Sequence, residues 1–377
     1  MKICIVTSSY PLNPNDTIDA GVFVRDFAKQ LNKTEHKVFV FTSRKEGIVE
    51  NEKEFEVYFF PWLGKERDIA HQIDPKNLKG FIKILSLLIN GSFYFFRFVK
   101  KRRIDRCLAM WAIPSGLFTL LTKKFFKVPY DVWALGSDIW KRNKYPFGEI
   151  LVKKILLNAD NRFGDGIEFA KCVEKICGKK TKFLPTCRTL PINIKGEAAV
   201  DKKKTNFLFI GRWEKEKGID ILIDATNLLS KEIKEIKLYV FGGGSLEKLI
   251  YEKIDKYNLK DFISVNGYAN PETAVKYLRA CDCLVIPSRI ESIPIVLSDA
   301  LQMKKPIIVS DVGDMGKLVK KYKVGLVAEP ENAEDLKDKM INFIKEDITK
   351  YQKNIDLLAS KFNIQKIVQK YIDYLNI

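Results

Sequence analysis

The chain is predicted to be an α/β protein built from two doubly wound, parallel-sheet domains, and three observations point there. Short β-branched apolar runs alternate with longer helical patterns, as in KICIVTSS, GVFVRDFAKQLNK and HKVFVFTS, the signature of strands joined by crossover helices. A second such series opens at NFLFIG, residues 206–211, so the pattern restarts halfway along. Between the two, LPINIKGEAAVDKKKT mixes Pro, Gly, Ala and a lysine run without periodicity, as an interdomain linker does. The expected boundary lies near 190–204, with one domain over 1–190 and the other over 205–359.

The second series is read in order as a helix near 218–230, the strand KLYVFG, a helix over 245–258, the strand FISVNG, a helix over 271–280 and the strand CLVIPS. A helix from Ile295 to Met303 follows, closed by Lys304, Lys305 and Pro306. The terminal segment KFNIQKIVQKYIDYL is amphipathic.

Composition bounds the rest. The 377 residues suffice for two cores, and 46% hydrophobic with 30% charged residues is a globular balance. The net charge is +18. Residues 1–190 hold 34 basic and 20 acidic side chains, a net +14, against 31 and 27, a net +4, for residues 191–377. This asymmetry predicts an anionic partner for the first half: a membrane surface, a phosphorylated substrate or nucleic acid. Seven cysteines without a CxxC pair read as reduced, mostly buried thiols, and two histidines leave little for a zinc site or a histidine triad. The apolar run of MKICIVTSSYPLNP is too short for a signal peptide, and a cytoplasmic location is expected.

Several segments carry chemistry. Glu291 and Asp299 stand eight residues apart around the start of the helix at 295, a little over two turns, so both acids are expected to reach one ligand. After the strand NFLFI comes Gly211-Arg212-Trp213-Glu214-Lys215-Glu216-Lys217-Gly218. A diphosphate needs cations at fixed separation, and Arg212 as a fork and Lys217 as a point charge suit it; the alternative is an exposed loop rich in EKEK. Gly242, Gly243 and Gly244 follow the strand KLYV, where backbone can approach a ligand and Ser245 is expected to cap the next helix, though glycines that merely make the turn fit equally. Neither this turn nor the end of the first strand is a GxGxxG dinucleotide fingerprint.

These residues resemble the retaining, GT-B-fold glycosyltransferases of glycosyltransferase family 4. Glu291, Lys305, Pro306, Ile307 and Ile308 match the family's acid-helix-strand element, with Asp299 where a second Glu is usual; Arg212, Lys217 and Gly218 match its Gly-Arg and Lys-Gly pair. Asp19-Ala20-Gly21 resembles its first glycine loop, Gly136-Ser137-Asp138 its His-Gly-Ser-Asp segment with Leu135 in place of His, and MWAIPSG another strand and turn. The resemblance implies two Rossmann-like domains facing a central cleft, with the final helix, 360–377, returning to the N-terminal one. It implies metal-independent transfer of a sugar, with retention of configuration, from a nucleotide-diphosphate sugar to a hydroxyl of a glycan or lipid-linked acceptor. No cofactor is implied; the nucleotide sugar enters as substrate. Glu291, Arg212 and Lys217 would be catalytic. Gly21, Gly242, Gly244, Asp299, Ser292 and Ile293 would bind the donor, with Asp299 on the ribose. Asp138 and Trp111 would face the acceptor or sugar, although a Trp in an apolar run is more often core.

Residues 79–103, KGFIKILSLLINGSFYFFRFVKKRR, combine aromatic and aliphatic side chains with a basic end. The segment reads either as an interfacial helix on an anionic membrane, too interrupted to span it, or as a core helix with a solvated tip. A rival to catalysis is a degenerate GT-B-fold protein serving as a membrane- or nucleic-acid-binding module; no nucleic-acid-binding motif is present, and none is expected as a partner.

Overall fold

The computed structural model describes residues 1–11, 21–43, 54–64, 73, 77–144 and 147–375. The chain divides into two compact units, Met1–Pro185 with Ile364–Ile377, and Thr186–Asn363.

The first unit runs β1 (Lys2–Thr7), α1 (Val22–Asn32), β2 (Lys37–Ser43), β3 (Glu56–Phe60), α2 (Leu78–Arg102), β4 (Arg106–Met110) and α3 (Ser115–Phe126). It continues through β5 (Tyr130–Ala134), α4 (Ser137–Trp140), α5 (Gly148–Asn158), β6 (Arg162–Gly164), α6 (Ile167–Cys177) and β7 (Lys182–Phe183). Its sheet has the order β3-β2-β1-β4-β5-β6-β7, every described pairing parallel. Strands such as β1 are buried along nearly their whole length, as parallel strands covered on both faces must be.

The second unit runs β8 (Thr205–Ile210), α7 (Ile219–Glu232), β9 (Ile236–Phe241), α8 (Glu247–Lys256), β10 (Ile263–Asn266), α9 (Pro271–Ala280) and β11 (Cys283–Ile286). Then come α10 (Ile295–Gln302), β12 (Ile307–Ser310), α11 (Met315–Tyr322), β13 (Gly325–Ala328), α12 (Ala333–Lys345) and α13 (Gln352–Ala359). Its sheet, β10-β9-β8-β11-β12-β13, is parallel throughout its described pairings. The α/β class with two Rossmann-like units, expected from the alternating patterns, is what the chain adopts.

The last helix, α14 (Ile364–Leu375), belongs to the first unit. Tyr371 Oη donates to buried Asp131 at 3.1 Å and Lys370 Nζ to the Phe183 carbonyl at 2.8 Å. Asp131 also accepts from both forks of Arg106, at 2.8 and 3.1 Å, so this buried carboxylate is fully compensated. All seven cysteines are free thiols.

In both sheets strand order reverses once, between β1 and β4 and between β8 and β11. The loops leaving the carboxyl ends of such neighbours border the crevice where open α/β sheets bind ligands. In the second unit those loops are Gly211–Gly218 and Pro287–Ile293, the segments singled out in the sequence.

Candidate functional site

The second unit gathers four turns at the carboxyl edge of its sheet, and tight backbone contacts fix them. Gly218 has φ +68°, and a Cβ there would lie 1.9 Å from the Pro287 carbonyl. Glycine therefore lets the Lys-Gly turn lie against the turn after β11. Arg289 locks the same contact: its backbone N–H donates to the Glu216 carbonyl at 2.8 Å, and its guanidinium reaches the Lys215 carbonyl at 2.7 Å. The guanidinium also grips Asp220 at 2.8 Å through both forks and Glu331 at 2.8 Å. These partners hold its proton more tightly than usual, the Asp220 hydrogen bonds foremost.

The consequence is that Lys217 Nζ donates to Glu291 Oε2. The two matched residues, 74 apart in sequence, share one spot at the switch point, both partly exposed. Arg212, in the same loop, is exposed, and no ion pair is found for it among the described residues. Its guanidinium is available to an anion. From the far side, the turn after β12 supports Glu291: Gly313 has φ +55°, and a Cβ on it would come within 2.1 Å of the Glu291 carbonyl.

The glycine turn after β9 is also a close approach. A Cβ on Gly242, φ +141°, would lie 1.9 Å from the Gly211 carbonyl, and one on Gly244, φ +153°, 2.8 Å from the Trp213 carbonyl. Trp213 N–H donates to the Gly243 carbonyl at 2.8 Å. These glycines thus serve loop-to-loop packing within the site. Ser245 does not cap the next helix: its hydroxyl donates to Glu214 at 2.5 Å, and α8 starts two residues later, because the neighbouring loop supplies a stronger, charged acceptor. The Ser292 hydroxyl is buried with no hydrogen-bond partner among the described residues. Ile293 buries its side chain, so a contact from it to a ligand is a backbone one.

Asp299 corrects the expectation that both acids reach one ligand. It is 0% exposed inside α10, and both carboxylate oxygens lie on the Arg188 guanidinium, with Nη2–Oδ2 at 2.6 Å. Gln302 Nε2 donates to the Arg188 carbonyl at 2.9 Å, fastening the same segment to α10. A carboxylate one turn into an eight-residue helix is enclosed by that helix's own packing. Arg188, not Asp299, is the partly exposed member of the pair.

In the first unit, Gly21 abuts the turn after β1; a Cβ on it would lie 2.5 Å from Tyr10 Cα. Asp19 and Ala20 of that loop lie outside the described residues. Trp111, at the end of β4, is half-buried with φ +67° and packs edge-on against Phe23 at 5.9 Å. Asp138 is not presented to an acceptor: its buried carboxylate accepts from Ala112 N–H at 2.6 Å and Leu135 N–H at 3.2 Å, tying the ends of β4 and β5 together. Burial pushes its pKa up to about 6, with those amides opposing the rise.

Arg188, Arg289, Asp220 and Gly313 were not anticipated as parts of this site. Of these, only Gly313, in a Val-Gly-Asp turn directly after a strand, left a local signal in the sequence.

Comparison with known proteins agrees with this picture. Residues 192–360 match the family model of the glycosyl transferases group 1. An uncharacterized glycosyltransferase of Methanocaldococcus jannaschii is 28% identical over 373 residues, covering 98% of this chain and 96% of its own. Among solved structures, sucrose-phosphate synthase from Thermosynechococcus elongatus superposes with a TM-score of 0.82 at 18% identity, over 100% of this chain and 98% of the other. Anabaena HepE in complex with UDP-glucose does so with a TM-score of 0.75 at 15% identity, over 100% and 99%. These likenesses accord with the GT-B fold.

Proposed function

We propose that this protein is a retaining glycosyltransferase that moves a sugar from a nucleotide-diphosphate donor to a hydroxyl of a glycan or lipid-linked acceptor without a metal ion. The observation that carries the reading is the meeting of Lys217 and Glu291 at the switch point, with Arg212 exposed in the same loop as Lys217. The match of residues 192–360 to a glycosyltransferase family, and the UDP-glucose bound by a structural neighbour, support it.

Arg212 and Lys217 supply the cations that a departing diphosphate needs, and a low-dielectric crevice strengthens them. Glu291 holds hydroxyls of the donor sugar once Lys217 turns to phosphate. The acceptor oxygen attacks the anomeric carbon on the face the diphosphate leaves. As the carbon–phosphate-oxygen bond breaks and the new carbon–oxygen bond forms, the acceptor's proton passes to the departing phosphate. No side-chain base is required by this route. The degenerate-module alternative is disfavoured because Lys217 and Glu291 meet at the switch point and the loop that carries Lys217 also carries the exposed Arg212.

The test is a screen of nucleotide sugars for binding and slow hydrolysis, followed by NMR of the released sugar's first-formed anomer. Retained configuration supports the reading, and inverted configuration refutes the retaining route.

A further inference from the structure

Helix α2 carries apolar residues on two opposite faces. One face, including Leu87, Gly91, Phe95 and Phe98, is buried in the first unit's core. Gly91 is there because α3 comes so close that a Cβ would lie 2.3 Å from the Phe118 ring. The opposite face bears Leu78, Phe81, Ile82, Leu85, Ile89 and Phe93, all exposed, Phe81, Ile89 and Phe93 by 52%, 57% and 54%. Their three- and four-residue spacing makes one straight stripe, about 22 Å long at 1.5 Å per residue.

Continued by the same spacing, the stripe meets Phe96, which packs edge-on against exposed Phe125 at the end of α3, at 5.6 Å, and then Lys100 and Arg103. Lys79 and Arg97 flank it, both exposed. Neither α2 nor α3 contains an aspartate or glutamate. An apolar stripe this large on a water-facing helix marks an interaction surface. Its cations specify the partner's sign.

We propose that the outer face of α2, with the end of α3, rests on an anionic lipid bilayer. Aromatic and aliphatic side chains enter the interface while Lys100 and Arg103 meet lipid phosphates. The helix is long and apolar enough to cross a membrane by length and composition, but its other face is core, so it lies along the surface. A second copy of the chain fits poorly, since stripes laid face to face would bring like charges together with no carboxylate on either helix to pair them. This proposal is independent of the sugar-transfer reading.

The test is flotation of the full chain with vesicles of phosphatidylcholine alone and of phosphatidylcholine with phosphatidylglycerol. Flotation is expected only with the anionic vesicles and is released as salt rises, because screening shortens the attraction to about 8 Å at physiological ionic strength. Lys100→Gln and Arg103→Gln should each weaken binding about fivefold, and Ile89→Glu should abolish it. All three positions are exposed or solvent-edged, and unchanged circular-dichroism melting shows that the variants remain folded. No flotation, equal flotation on both vesicles, or full binding by folded Ile89→Glu would overturn the proposal. A dimer in sedimentation that Ile89→Glu dissociates would assign the stripe to a second copy instead.

Discussion

Arg188 and Asp299, 111 positions apart, form a bidentate ion pair in which the guanidinium Nε reaches the two carboxylate oxygens at 3.1 and 3.0 Å and Nη2 reaches Oδ2 at 2.6 Å. Burial raises the Asp299 pKa, and the guanidinium acts against that rise. Such a pair stays ionised only while both members are present.

Removing one partner is therefore costly. Arg188→Leu should destabilise the protein by about 3 to 5 kcal/mol, read from urea unfolding, because it strands a buried carboxylate. Asp299→Glu, which the sequence alone would rank as mild, should cost about 1 to 3 kcal/mol by overpacking an enclosed site. Wild-type stability in Arg188→Leu would show the pair to be dispensable.

Arg289 should matter to ligand affinity without touching ligand. Arg289→Lys keeps the charge but loses the fork on Asp220, about 1.5 to 3 kcal/mol for a charge-assisted bond. The turn carrying Lys217 is then released, and nucleotide affinity should fall together with thermal stability. Loss of stability with unchanged affinity would limit Arg289 to a structural role.

Asp138 gives a pH signature. Its folded pKa, about 6, lies above the ordinary 3.8. The native state therefore binds this proton more tightly than the unfolded chain. The contribution is fully present below about pH 3.8 and is lost as pH rises through about 6. The stability difference between wild type and Asp138→Asn should shift against wild type by about 3 kcal/mol across that window, the equivalent of roughly two pKa units. A pH-independent difference would contradict the assignment.

Activity should persist in EDTA, since Arg212 and Lys217 are the cations assigned to the leaving diphosphate. Loss in EDTA with recovery on adding Mg²⁺ or Mn²⁺ would transfer that role to a metal.

Local signals made much of the fold legible. Helix α9 has the ends expected of it because Asn270 caps it, accepting from Thr273 N–H at 2.7 Å, and Pro271 opens it. The loops that carry Lys217 and Glu291 were legible because each follows a buried strand, but their meeting was not, since only the packing of the turn at Gly218 on Pro287 brings them together. Arg188 was illegible altogether: it stands where no periodicity exists, and its partner is chosen by tertiary packing. Ser245 was misread because a cap and a link to the neighbouring loop look alike in sequence, and only the position of Glu214 decides between them. Composition could not tell which face of α2 is core, since Leu and Phe occupy both.

The most direct test of the account is calorimetric titration of nucleoside diphosphates into wild type and the Arg212→Ala, Lys217→Ala double variant. Saturable binding by wild type, weakened by about 1.5 to 3 kcal/mol for each side chain removed in a variant that still folds, is the expected result. Binding that is equal in the two proteins, or absent from wild type for every nucleoside diphosphate, would contradict the assignment of this crevice to a nucleotide-sugar donor.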